Sequence, residues 1–385
     1  MKIEAVDLWQ IRSPLHKPYH LSRFYGTLTH AEAVFVRVRT DDGIEGWGEA
    51  DPLRPFTSEN AAGVFAFLGE VVPRALLGRD PADHAALLEE LAQAAPGYPT
   101  ARGALDMALH DIVARSAGVS VATLLGGPVR KSIPLLWPLG SESLDESSAI
   151  VEARAAQGYR TFMIKTGSRD VAEDAARTLG LIERFPELSF QADANQGWSE
   201  SEALRYVALI GAAPLILLEQ PVPRIRPEAL KRVREQALMP VSADEGVFSP
   251  EEAARLAAGR IVDAFSIKPS KNAGLGPSRK IASLAEAFGM PILMNSMIEF
   301  GVTQAASLQL GLTLTNLMDC GHAYMSTLRL HGDPTSFSAL VERAVAYAPE
   351  APGLGVTVDT EALARLAAAH RSLRLGDPAT GASAS

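Results

Sequence analysis

From about residue 132 onward the sequence keeps a regular alternation. A short apolar run is followed by a stretch with apolar residues at three- and four-residue spacing, then by another run. The runs are 134–139, 161–164, 189–192, 215–218, 239–243, 264–267, 291–294 and 316–318. Runs this short, separated by amphipathic helical stretches, imply parallel strands, because a crossover helix brings the chain back to start the next strand in the same direction. Eight such units suggest a sheet closed on itself, so the expected class is α/β, a (β/α) TIM-type barrel. A doubly wound open sheet is the alternative, but no glycine-rich phosphate loop follows the first run, which counts against it.

A barrel of this kind needs roughly 250 residues, and the chain has 385. The surplus lies mostly in the first third, which reads as α+β. Segments 3–12 and 31–40 read as strands, the second alternating apolar and polar residues as a half-buried antiparallel strand should. Asp41-Asp42-Gly43 makes a turn into a third run, 44–50, so that pair is expected to form a hairpin. Residues 58–116 turn helical, and Leu124-Leu125-Gly126-Gly127-Pro128 breaks the pattern. The expected partition is an α+β domain over 1–128, a barrel over 129–340, and a final segment, 341–385, that packs back on the first domain. That segment is expected to hold a helix over 360–372 and to end in a small, polar, frayed tail, 376–385.

Composition excludes several classes. A single cysteine, Cys320, allows no intrachain disulfide, and beside Asp319 it reads as inert. No apolar run approaches the roughly 20 residues of a membrane span, and the first residues read as a strand rather than as a signal peptide. A net charge of −9 argues against nucleic acid as a partner. The expectation is a cytoplasmic protein that meets neither membrane nor nucleic acid.

The chemistry sits where the runs end. Lys165 closes the second, Asp193 the third, Glu219 the fourth, Asp244 the fifth and Lys268 the sixth, in steps of 28, 26, 25 and 24 residues. Each step is one βα unit, and barrel active sites lie at the C-terminal ends of the strands, so these five side chains should converge. Three carboxylates aimed at one point repel unless a cation holds them. A hard ion with positions left open for substrate oxygens suits them, Mg²⁺ first and Mn²⁺ as the alternative. A lysine on each flank could remove a proton from one side of a carbon and return it on the other. The metal would stabilise the enediolate left when the carbon beside a carboxylate loses its proton. Asn195, two residues after Asp193, is expected to point to the same side.

These segments resemble the enolase superfamily, in the mandelate racemase/muconate lactonizing enzyme family and its muconate lactonizing enzyme subgroup. The resemblance rests on Phe162-Met163-Ile164-Lys165-Thr166-Gly167, Asp193-Ala194-Asn195, Glu219-Gln220-Pro221, Ala243-Asp244-Glu245 and Ser266-Ile267-Lys268-Pro269. Gly46-Trp47-Gly48-Glu49 and Pro352-Gly353-Leu354-Gly355 add to it, so it spans nearly the whole chain in order. It implies a capping α+β domain over a modified barrel, Mg²⁺ on Asp193, Glu219 and Asp244, and Lys165 and Lys268 as the acid/base pair. It also implies a homo-oligomer.

One position departs from the family pattern. Relatives carry Lys-x-Lys at the end of the second strand, and here the first lysine is Met163. Met163 should face the same way as Lys165; it reads as lumen packing or as an apolar neighbour that favours a neutral lysine. The resemblance further places Glu299 near the strand-six base, Asp319 and His322 at the substrate end, and substrate recognition in two N-terminal loops, 20–26 and 52–56. In the first of these, Arg23, Phe24 and Tyr25 would offer one cation and two aromatic faces. Lys271 reads as structural, and Trp137 and Trp198 as packing.

The activity these residues imply is removal of the α-proton of a small carboxylate. Racemisation or epimerisation is the simplest outcome, and cycloisomerisation or dehydration uses the same start. A Schiff-base aldolase, with a lysine as nucleophile, and a non-catalytic ligand-binding barrel are the readings of other classes.

Overall fold

The computed structural model of the chain describes residues 1–94 and 97–377. Most of the polar tail, residues 378–385, lies outside the described residues.

The N-terminal sheet is antiparallel. Strands β1 (Ile3–His20), β2 (Thr27–Thr40) and β3 (Glu45–Ala50) follow one another as a meander. The predicted hairpin is present, with Val34 opposite Ala50 and Arg39 opposite Glu45. The first strand runs well past its predicted end at Arg12, because β2 keeps pairing with it out to His20. Helices α1 (Ala61–Ala75), α2 (His84–Ala94) and α3 (Pro99–Ser116) cover one face. There Ile3, Val6, Leu8, Val34, Val36 and Val38 pack on Val64, Leu68 and Leu105 in a core of their own.

The Gly46-Trp47-Gly48-Glu49 motif has a geometric reason. Both glycines face α3, and a Cβ on Gly48 would lie 1.8 Å from the Ala104 carbonyl oxygen. Only glycine lets the helix lie this close to the strand. Glu49 points to the opposite side, toward the barrel, and accepts the backbone N–H groups of Phe300, Val302 and Thr303. These open a barrel helix, so a buried carboxylate of one domain caps a helix of the other.

After the short helix α4 (Val121–Leu124) and strand β4 (Ser132–Pro134) the barrel begins. Its strands are β5 (Leu136–Leu139), β6 (Thr161–Lys165), β7 (Ser189–Asp193), β8 (Leu215–Glu219), β9 (Val241–Ala243), β10 (Ala264–Ile267) and β11 (Ile292–Met294). They pair in parallel and in chain order. The intervening helices are α5 (Leu144–Ala155), α6 (Val171–Arg184), α7 (Glu200–Ile210), α8 (Pro227–Gln236), α9 (Pro250–Ala258), α10 (Leu275–Ala287) and α11 (Gly301–Gly311). Three of them start on the same Ser-x-x-Glu capping box: Ser143 with Glu146, Ser199 with Glu202, and Ser249 with Glu252. Each box satisfies backbone donors that the helix start leaves open.

The eighth predicted strand, 316–318, is reduced to a single bridge. Leu317 pairs with Ile292, and five residues later His322 pairs with Leu135. The chain turns at Cys320, whose N–H bonds back to Met318, so no continuous ladder can form. The two bridges nonetheless close the seven-stranded sheet into a modified barrel.

The C-terminal segment forms β12 (Val341–Glu342) and β13 (Val345–Tyr347), which join β4, then α12 (Thr360–Leu366) and β14 (Ala367–Arg374). The predicted helix over 360–372 therefore stops at Leu366. Its second half pairs antiparallel with β1, from Ala5 opposite Arg374 to Ile11 opposite Ala367. An alanine-rich segment with good helix propensity becomes a strand because β1 offers an open edge of hydrogen-bonding groups. No described helix is long and apolar enough to cross a membrane.

Candidate active site

Register brings the charged strand ends together. Lys165 on β6 lies opposite Asp193 on β7, and Asp193 opposite Glu219 on β8. Asp244 follows β9 by one residue and Lys268 follows β10 by one, so the row continues around the rim. All five side chains are buried. Lysine stands at both ends of the row and carboxylate in the middle, as the strand-end series predicts.

The lysines are held by the row itself. Lys165 Nζ donates to Asp193 Oδ2 and, over 2.8 Å, to Asn195 Oδ1. Lys268 Nζ donates to Asp244 Oδ2 over 2.6 Å and stands 4.2 Å from the centre of the Phe56 ring. Lys271, read as structural, is fully buried and saturated by the Asp244 carboxylate, the Asp244 carbonyl and the Ser266 carbonyl. Burial pushes both active-site lysines down, but their carboxylate neighbours outweigh it and leave both raised. Met163 is buried in the same cavity wall, and burial pushes Lys165 toward the neutral amine as expected, while the Asp193, Tyr19 and Glu219 charges pull the other way.

Among the carboxylates, Glu219 carries the strain. Burial, then the charges of Asp193 and Asp244, push it up to about 8. Its oxygens accept from Ser266 Oγ and, at 2.8 and 3.1 Å, from Asn295 Nδ2. Burial works against ionised Asp244 too, but Lys268 and Lys271 outweigh it and hold its pKa down. Glu245, next along, is also pushed up to about 8 by burial, Asp244 and Asp193. A buried set of oxygen donors whose mutual repulsion favours protonation is chemistry that a hard divalent cation would relieve. Among the described residues no three acidic side chains stand as a ready cage. Asp193 and Asp244 are each turned onto a lysine, so taking up an ion means exchanging those contacts for it. With that adjustment Asp193, Glu219 and Asp244 fit the group.

A small cavity of ≈ 40 Å³ opens above the row. Lys165, Lys268, Asn195 and Met163 line it, as does Tyr25 from the first N-terminal loop. Tyr25 accepts from Gln196 Nε2 over 2.8 Å. Other expected residues lie elsewhere. Arg23 turns to the surface and binds Glu202 with both guanidinium nitrogens, which ties its loop to α7. Phe24 beside it is exposed. Asp319 is exposed and lines no part of the cavity, since the chain turns outward where the eighth strand fails to form. His322 is buried in the barrel wall, where its Nδ1 accepts the Met294 N–H and burial lowers its pKa to about 4. Trp198 stacks on Tyr206, and Trp137 packs on Tyr159 and carries Arg154 on its face.

Glu299 does not reach Lys268. It sits buried behind the loop that supplies Asn295, Met297 and Ile298 to the cavity, and accepts from Ser296 Oγ, the Met297 N–H and Gln304. Burial and the Asp51 charge push its pKa up to about 7 from 4.5. An acid with a higher pKa folded than unfolded stabilises the fold fully below 4.5, and that contribution is lost as pH rises through about 7. A Glu299→Gln variant stays neutral throughout. Its stability relative to the native chain is expected to rise by about 3 kcal/mol between pH 4.5 and 7.5, read by urea unfolding. Parallel pH curves for the two chains would assign the titration to another group.

Several contributors escaped the reading of the sequence. Ser266 lies two residues before Lys268 on one strand, so its shared face was a usable signal. Asn295 directly follows a strand and could have been found by position. Glu245, Tyr19 and Arg329 left no local signal.

Two family descriptions match the chain. "Mandelate racemase / muconate lactonizing enzyme, N-terminal domain" covers residues 3–126, and "Enolase C-terminal domain-like" covers 146–362. A chloromuconate cycloisomerase of Cupriavidus necator is 31% identical over 366 residues, covering 93% of this chain and 97% of the relative. An L-Ala-D/L-Glu epimerase of Bacillus subtilis is 34% identical over 311 residues, covering 80% and 84%. The crystal structure of an N-succinyl Arg/Lys racemase from Bacillus cereus superposes with a TM-score of 0.92 at 26% identity, covering 97% of this chain and all of that one.

Proposed function

The chain belongs to the mandelate racemase/muconate lactonizing enzyme family of the enolase superfamily, within its muconate lactonizing subgroup, and from that premise we propose that it racemises or epimerises a small carboxylate by moving the α-proton between Lys165 and Lys268. The observation that carries this reading is that both lysines are buried in the wall of one cavity, at opposite ends of the carboxylate row. One lysine takes the proton from one face of the α-carbon, and the other returns a proton to the opposite face. Mg²⁺ on Asp193, Glu219 and Asp244 would supply the positive charge that makes the enediolate affordable, by neutralising the substrate carboxylate as its second negative charge develops.

The remaining roles fall to side chains of this protein. Asn195 fixes the Lys165 ammonium, and Lys271 holds the Asp244 carboxylate in place. Phe56, Met163 and Ile298 keep bulk water from the reacting carbon. The carboxylate row between the lysines argues against the aldolase reading, since Schiff-base chemistry requires no metal site. Named activities among the relatives divide between cycloisomerases and an epimerase or racemase, and both kinds fit the same proton-transfer start.

Incubation with Mg²⁺ in D₂O tests the proposal. The panel is N-acyl amino acids, dipeptides, hydroxy acids and muconolactones. Deuterium is expected at the α-carbon of at least one class, and a chelator should remove the exchange. Absence of deuterium from every member of the panel would reject it.

A further inference from the structure

A helix start leaves backbone N–H groups open, and several barrel helices close them from their own chain. Ser143, Asp170, Ser199 and Ser249 cap α5, α6, α7 and α9 in this way. Helix α10 has no such cap, because the residue before it is Gly274, which has no side chain to offer. Nor has α11, where that residue is Phe300. Each takes a buried carboxylate from the N-terminal domain instead. Glu49 serves α11, and Asp106 on α3 serves α10. Asp106 Oδ1 accepts the Leu275 N–H over 2.7 Å, and Oδ2 accepts the Gly276 N–H over 3.3 Å.

Only the turn 269–274 separates Lys268 from α10, and it is closed on itself. The Lys268 N–H donates to Asn272 Oδ1 over 3.0 Å, and the Asn272 N–H returns to the Lys268 carbonyl over 2.9 Å. The Gly274 N–H bonds the Pro269 carbonyl over 2.7 Å. A shift at the start of α10 is therefore passed to Lys268 with little slack. Helix α3 lies directly on this turn. A Cβ on Gly103, one helical turn before Asp106, would stand 3.2 Å from the Gly274 nitrogen, and a Cβ on Gly274 would meet Asp106 Cγ at 2.4 Å. Asp51, just past β3, donates its N–H to Ser270 Oγ over 3.1 Å. Asp106 is itself held from behind. It is buried, and His110 Nδ1, which donates to the Asp106 carbonyl over 2.8 Å, stands 3.2 Å from its Oδ1. The helix after Lys165 needs no such help, since Asp170 caps it from within the barrel.

We propose that Asp106 is a positioning residue for Lys268, through which the N-terminal domain sets the base on one face of the substrate carbon. This deepens the proton-transfer reading and rests on it. Proton transfer requires hydrogen-bond reach, and a misplacement of about 1 Å can cost about 10²-fold in rate. A carboxylate suits the task. Its two oxygens take two successive N–H groups, and its charge faces the positive end of the helix. Asparagine in its place keeps one acceptor and loses both the second acceptor and the charge.

Asp106→Ala and the milder Asp106→Asn, made in the full chain and supplied with Mg²⁺, test this. The readout is α-hydrogen exchange of each pure enantiomer in D₂O, followed by NMR. The enantiomer served by Lys268 is the one that a Lys165→Ala chain still exchanges. Its exchange is expected to fall about 10-fold or more in Asp106→Ala, and by less in Asp106→Asn. The other enantiomer should exchange nearly as in the native chain, because Lys165 can take its proton and return it to the same face. Backbone deuterium uptake, read by mass spectrometry, should rise over 268–276 and not over 165–171. Equal loss for both enantiomers, as a loosened fold would give, overturns the inference, and so does unchanged uptake over 268–276. Either result leaves native exchange, and with it the proton-transfer reading, intact. Absence of exchange from the native chain itself removes that reading and the inference together.

Discussion

Lys165→Ala and Lys268→Ala are each expected to lower interconversion of substrate enantiomers by about 10³-fold or more, since a positioned acid or base is worth 10² to 10⁴. The two variants should fail in opposite ways. Each keeps one lysine, and that lysine still faces one side of the α-carbon. It can take a proton, trade it with solvent and return it to the same face. Lys165→Ala is therefore expected to exchange the α-hydrogen of one enantiomer only, and Lys268→Ala that of the other. NMR of each pure enantiomer in D₂O reads this directly. Both variants exchanging the same enantiomer would leave a single base at work and sink the two-face arrangement. The geometry behind the prediction is the separation of the lysines onto β6 and β10, with the carboxylate row between them.

Asp244→Asn is expected to remove metal binding and exchange together, and to destabilise the protein as well. Asp244 is fully buried and its carboxylate is the shared partner of two buried ammonium groups, at 2.6 Å from Lys268 and 2.9 Å from Lys271. Taking away the anion leaves both cations in a low dielectric without the carboxylate they contact directly, with Glu219 and Glu245 as the nearest remaining acidic groups. Breaking a buried pair in this way typically costs about 3–5 kcal/mol. Urea unfolding should report a loss of that size, and Mg²⁺ should no longer raise the melting temperature as it does for a chain that binds it in the native state. A variant that unfolds like the native chain and still gains stability from Mg²⁺ would remove Asp244 from the ligand set. Pairing the substitution with Lys271→Met separates the two effects, because it restores much of the charge balance without restoring the ligand.

The same features explain which parts of the site could be read in advance. A barrel strand has one end at the active-site rim, so a residue that closes an apolar run has a known destination wherever the run lies. Lys165, Asp193, Glu219, Asp244 and Lys268 were found in that way, and register then set them side by side. Loop side chains have no such constraint. Arg23 and Arg329 are both arginines in loops near the rim. Arg23 turned away because Glu202, 179 residues distant, stands on α7 to receive it. Arg329 turned inward onto Tyr19, more than 300 residues earlier in the chain.

Periodicity and strand-end spacing were enough to establish the barrel, the order of its strands and the five charged groups at its rim, because these depend on a repeat of about 25 residues whose local physics is complete in itself. Three things waited on tertiary contacts. The strand at 367–374 formed because β1 left an edge open, against local helix propensity. The eighth strand shrank to a single bridge at Leu317 because the chain turns before the next one, at His322. The cavity wall took its character from Tyr19, Arg329 and Asn295, which meet only when the N-terminal domain is laid over the barrel mouth. Direction along a strand is encoded within a few residues, whereas the direction of a loop side chain is chosen by whichever distant partner lowers its free energy most.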